Sequence, residues 1–114
     1  MITIYHNPRC SKSRQTLALL EEKGIQPEII EYLKTPPSAS ELTKVLNYLN
    51  ISARDLMRTG EAEYKENNLS NPELNDNQLI EFMLKYPKLI QRPIVINGEK
   101  AAIGRPPEQV LEIL

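Results

Sequence analysis

Apolar residues fall in short clusters along the chain, and their spacing defines the elements. Ile2-Thr3-Ile4-Tyr5 is β-branched and aromatic enough for a short buried strand. His6-Asn7-Pro8-Arg9 breaks it, because Asn-Pro favours a turn. A helix is predicted from Cys10 or Ser11 to Lys23, with Leu17 and Leu20 on one face. Gly24 ends it, since glycine adopts the left-handed terminating conformation without a Cβ clash. Glu28 to Leu33 reads as a second strand, which completes a unit of the length of a βαβ motif. Ser38 and Glu41 have capping-box spacing ahead of an apolar stripe at Leu42, Val45, Leu46 and Leu49. Ser52 and Asp55 predict a short helix through Ala53 to Thr59 that carries Arg58, and Gly60 to Pro72 is polar and irregular with room for one helical turn. A helix starting at Asn75 or Asp76 carries Leu79, Ile80, Phe82 and Met83 and stops before Pro87. Pro93 to Asn97 and Lys100 to Ile103 are two strands, with the hairpin turn expected at Asn97-Gly98. Gly104-Arg105-Pro106-Pro107 then turns into a last helix, Glu108 to Leu114.

The order is βαβ, helices, a β-hairpin and a helix. It predicts an α/β chain with a thioredoxin-like core (βαβ…ββα), one domain over residues 1–114, with a helical insertion at about 39–86 between the two halves. In such folds the proline before the third strand faces the active-site turn, so a cis Arg92–Pro93 bond is expected.

Charge and cysteine content narrow the chemistry. Lys+Arg is 14 and Asp+Glu is 15, which gives no bulk attraction to nucleic acid or anionic lipid. No apolar run approaches the ~20 residues of a membrane helix, and the N-terminus lacks a secretory pattern. One cysteine cannot form an internal disulfide, so a reducing cytoplasm is expected. One Cys and one His cannot supply four zinc ligands without help, so no metal site is expected.

Cys10 is the residue that asks for an explanation. A lone cysteine is ordinarily a small buried hydrophobe. This one sits at a strand-to-helix turn, where the first N–H groups of a helix lack internal partners and favour negative charge. A thiolate placed there is stabilised, and the same N–H groups can hold an oxyanion. The motif is C-S-K-S, with Ser13 where a C-x-x-C would place its second thiol. It is not a C-x5-R phosphatase loop either, because Thr16 occupies the arginine position. A nucleophilic thiol without a partner takes its second thiol from another molecule.

ITIYHNPRCSKSR resembles the H-N-P-x-C-x-x-S-R segment of the bacterial glutaredoxin-coupled arsenate reductase (ArsC-like) family. EYLKTPPSASEL, DLMRTGEAEYKE, LIEFMLKYPKLIQRPIVI and GRPPEQVLEIL follow in that family's order, so the resemblance spans nearly the whole chain. It implies Cys10 as nucleophile, Arg58, Arg92 and Arg105 as oxyanion-binding arginines, and His6 and Ser13 as flanking residues that tune the thiolate. It also implies arsenate as substrate and glutathione as co-substrate, glutaredoxin as partner, no bound cofactor, and a role in arsenic detoxification. Guanidinium groups suit this task, since they stay charged and offer paired donors to oxyanion oxygens. Arg9, Lys12 and Arg14 are either steering charges or solvated helix residues. Two other readings stay open. One is a thiol-dependent reductase acting on another oxyanion or on glutathionylated substrates, because longer family members continue past the segment matching VLEIL. The other is an Spx-like redox-sensing transcription regulator, although those carry C-x-x-C and lack the arginine set.

Overall fold

The computed structural model describes residues 1–114. The chain forms two compact units, Met1–Thr35 with Arg92–Leu114, and Pro36–Gln91. No helix is long and apolar enough to cross a membrane.

The first unit is built on strands β1 (Ile2–Tyr5), β2 (Glu28–Ile30), β3 (Ile94–Asn97) and β4 (Lys100–Ile103), with helix α1 (Ser11–Glu22) between the first two. The sheet order is β2-β1-β3-β4. β1 and β2 run parallel, with Ile4 opposite Ile29. β3 is antiparallel to both β1 and β4, with Val95 opposite Ile4 and Ala102. This is the expected βαβ…ββα arrangement of a thioredoxin-like core. Ile4, Leu20, Val95 and Val110 form its buried centre, contributed by β1, α1, β3 and the C-terminal helix, and Leu17, Ile25 and Ile113 pack around them. Burial of each such side chain stabilises by about 1.5–3 kcal/mol.

Local chemistry explains most boundaries. Gly24 ends α1 at φ +76°, and its N–H bonds the Glu21 carbonyl at 3.0 Å. The hairpin turn consists of Gly98 and Glu99, one residue later than expected, because Asn97 still pairs with Lys100. Positive φ falls on Gly98, the first turn position, as a II′ turn requires. β2 stops at Ile30 rather than Leu33, because Lys34 and Thr35 turn back onto the Glu31 carbonyl at 2.9 and 3.0 Å. The last helix, Pro107–Ile113, is a 3₁₀ helix. Its i→i+3 bonds include Gln109 N–H to Pro106 O at 3.1 Å, and a short segment ending the chain is where that tighter helix is used. The Arg92–Pro93 bond is cis, as expected, and so is Arg105–Pro106.

The second unit is helical. α2 (Ala39–Leu49) begins with the predicted capping box of Ser38 and Glu41, and buries Leu42, Val45 and Leu46. α3 (Ala62–Glu66) is the single short helix of the polar stretch. α4 (Asp76–Lys85) has a second capping box, Asn75 with Gln78, and buries Leu79, Ile80 and Met83. The helix expected at Ala53–Thr59 is only a 3₁₀ turn at Arg54–Leu56. Met57 is extended and forms an antiparallel bridge with Ile90. Arg58 N–H bonds Leu89 O at 2.7 Å and Gln91 N–H bonds Leu56 O at 2.9 Å. These pairings override local helix preference, so Arg58 follows the turn instead of riding a helix. Arg54 holds the irregular stretch, donating to the carbonyls of Leu69 at 2.8 Å and Asn71 at 2.9 Å.

Candidate active site

The turn between β1 and α1 is tied by its own polar groups. Cys10 N–H bonds Asn7 O at 3.0 Å, and Arg9 N–H bonds Asn7 Oδ1 at 3.0 Å. Arg14 Nη1 donates to Pro8 O at 2.9 Å. Underneath, the Ser13 hydroxyl accepts the Asn7 N–H at 2.9 Å and meets His6 Nδ1 at 2.6 Å. Ser13, His6 and Asn7 are all buried, so each of these bonds satisfies a group that water cannot reach. Burial, with help from Arg14, holds His6 below its ordinary pKa against the opposing pull of Glu31. A neutral ring with its proton on Nε2 accepts the Ser13 hydroxyl proton at Nδ1, an assignment that fits the donors present.

Cys10 occupies the N-cap position of α1 and is 9% exposed. Burial pushes its pKa up, but the backbone N–H of Ser13, the Arg92 guanidinium and the backbone N–H of Lys12 outweigh that, and the thiol is lowered overall. The helix start therefore acts on the sulfur as charge stabilisation. Arg92 is itself held by Cys10 and Tyr32, and its buried Nε has no hydrogen-bond partner. Arg105 donates from Nε to Arg92 O at 2.8 Å and places Nη2 at 3.7 Å from Cys10 Sγ.

Gly104 makes the last of these placements possible. Its N–H bonds Pro93 O at 2.9 Å. A Cβ there would collide with the Thr16 hydroxyl and stand 2.8 Å from Pro93 Cγ. The strand pair thus crosses close over α1, and Arg105 follows immediately.

Of the residues singled out from the sequence, His6, Cys10, Ser13, Arg92 and Arg105 lie in the first unit. Arg92 and Arg105 converge on the sulfur. His6 reaches it only through Ser13, whose backbone N–H faces the sulfur while its hydroxyl holds His6. Arg58 lies in the second unit, part-buried and paired with Glu61 at 3.3 Å. Tyr32 was not anticipated. It is 1% exposed and touches Arg92, and nothing in its local sequence marks it as more than an apolar position.

A thiolate flanked by guanidiniums at a helix start suits nucleophilic attack on a small anion. No three His, Cys, Asp or Glu side chains stand together to hold a metal. Residues 5–113 match the family model described as the ArsC family. The chain belongs to the ArsC family. It is 54% identical to the arsenate reductase of Haemophilus influenzae over 114 residues, covering 99% of this chain and 98% of that one. The uncharacterized protein YfgD of Escherichia coli is 55% identical over the same length, covering 96% of that chain. Among solved structures, the arsenate reductase from Vibrio cholerae superposes with a TM-score of 0.97 at 54% identity, over 99% of this chain and 97% of that chain. The thioredoxin-like core of this ArsC-family chain is thus shared along its whole length.

Proposed function

We propose that this protein is an arsenate reductase that uses Cys10 as nucleophile and draws its other thiols from glutathione and glutaredoxin. The observation that carries the reading is the convergence of Arg92 and Arg105 on a sulfur whose pKa is lowered. The names of its full-length relatives support arsenate as the anion.

In the first step the Cys10 thiolate attacks arsenic(V). One arsenate oxygen takes up two protons and leaves as water, and a Cys10–S–As(V) adduct remains. The Arg92 and Arg105 guanidiniums beside the sulfur neutralise the remaining oxygens. Glutathione then displaces a second oxygen as water, giving Cys10–S–As–S–glutathione. The glutaredoxin thiol attacks the glutathione sulfur. An S–S bond forms, and the electron pair of the broken As–S bond stays on arsenic, which becomes trivalent. Water hydrolyses the Cys10–As bond, arsenite leaves, and Cys10 returns as a thiolate. Two thiols are oxidised for each arsenic reduced by two electrons. His6 and Ser13 serve by holding the turn that aims the N–H groups. Arg58 is proposed as a third oxyanion ligand on the sequence resemblance alone. A cytoplasmic setting, where free thiols are maintained, fits this requirement.

The test is arsenite formation by purified protein with glutathione and glutaredoxin. Turnover is expected with both thiols present, and none with Cys10→Ser or with thioredoxin in place of glutaredoxin. A folded Cys10→Ser protein with full activity would overturn the reading.

A further inference from the structure

A groove runs beside the active-site turn on the side away from the two converging arginines. It is an open groove of about 190 Å³, lined by Asn7, Pro8 and Arg9 on one wall and Glu31, Leu33 and Lys34 on the other, so a ligand lying in it keeps one side in solvent. A second hollow shares Glu31 and Lys34 and extends the surface along β2.

The sheet order explains its position. β1 leads into Cys10 and lies between β2 and β3. The β3 side brings Arg92 and, through β4, Arg105. The β2 side brings the Glu31–Lys34 turn. The groove and the two arginines therefore flank the active-site turn on different sides.

The charges in the groove form a pattern. Arg9 and Lys34 supply two cations and Glu31 supplies one anion. The only ion pairs in the protein are Lys34–Glu31 and Arg58–Glu61, so Arg9 has no anionic partner. The Lys34–Glu31 contact is 3.6 Å long, with side chains 80% and 43% exposed, and is easily exchanged for a ligand. The complement of this set is a molecule with two carboxylates and one ammonium. Pro8 and Leu33 offer apolar contact between them.

We propose that this groove binds the thiol co-substrate, a small peptide thiol of the glutathione type that carries two carboxylates and one ammonium, with Arg9 and Lys34 on the carboxylates and Glu31 on the ammonium. The proposal rests on the reading of Cys10 as a nucleophile that lacks a second thiol in its own chain. A tripeptide spans about 10 Å when extended. Anchored at both ends, it presents a central thiol beside the turn that ends in Cys10.

S-methylglutathione is the probe, because it binds without reacting. Titrated into isotope-labelled protein, it is expected to shift the amide resonances of Arg9, Leu33 and Lys34. Arg9→Ala and Lys34→Ala should each weaken that binding by about threefold to fivefold, the worth of one exposed charge contact. The same variants should raise the KM for glutathione by a similar factor and leave the KM for arsenate unchanged. Both side chains are exposed, so folding is retained, and a circular dichroism spectrum verifies it. Shifts confined to other residues, or binding that the double variant leaves intact, would overturn the groove assignment even if arsenate is reduced. Binding at the groove without any arsenite formation would instead overturn the reductase reading.

Discussion

Arg105 stands 3.7 Å from Cys10 Sγ through Nη2 while its Nε holds the backbone carbonyl of Arg92 at 2.8 Å. One planar group makes both contacts, which the single ammonium of lysine cannot reproduce. Arg105 is exposed, and the lowering of the Cys10 pKa comes from Arg92 and the helix N–H groups. Arg105→Lys should therefore raise the KM for arsenate several-fold and leave the pH dependence of Cys10 alkylation almost unmoved. A large shift of that profile would show that Arg105 ionises the thiol.

Arg92 should behave differently. It is a direct contributor to the lowered Cys10 pKa. Alkylation of the native protein by iodoacetamide should be half-maximal below the ordinary thiol value of 9.0. Arg92→Gln should move that midpoint up and weaken arsenate binding by roughly one to two orders of magnitude, the value of a charge-assisted contact. The sign for stability follows from linkage. The folded pKa is depressed, so the thiolate's contribution is complete above the unfolded pKa and is lost as pH falls through the folded one. An unchanged midpoint in the variant would contradict the assignment.

The His6–Ser13 pair should be visible in stability before activity. Ser13→Ala leaves the buried Asn7 N–H and His6 Nδ1 without their partner. The expected cost is about 1–3 kcal/mol, read as a lower midpoint in urea. His6 is depressed below 6.5 in the fold. The unfolded chain therefore takes up a proton first, and stability, complete above 6.5, falls as pH drops from there through the folded pKa. His6→Asn should flatten that slope. A slope that survives in the variant would place its origin in other groups.

Gly104→Ala tests the close crossing over α1. The added methyl meets Thr16 and Pro93, both of which are fixed by packing. Overpacking of this kind costs about 1–3 kcal/mol. Arg105 should move with it, so KM for arsenate is expected to rise as Tm falls. A variant with native Tm would show that the two segments part without penalty.

Much of this was readable from local pattern. The run Ile2–Tyr5, the helix start at Ser11, the capping box at Ser38 and the helix start at Asn75-Asp76 depend on neighbours in sequence, and they appear where neighbours dictate. The errors have a common cause. The Ala53–Thr59 helix gave way to the bridge between Met57 and Ile90, a pairing across the second unit. The strand at β2 was cut short by the turn at Glu31.

The sequence by itself determined a single thiol at the mouth of a helix, because a strand, an Asn-Pro turn and a helix follow each other within a few residues there. Arg92 and Arg105 stand out in it only through likeness to a family. What brings Arg105 to a sulfur 95 positions away is the antiparallel pairing of β3 with β1 and β4, together with a glycine small enough to let the strands lie on α1. Such contacts depend on which strands sit side by side, and local hydrophobic periodicity carries no record of that order.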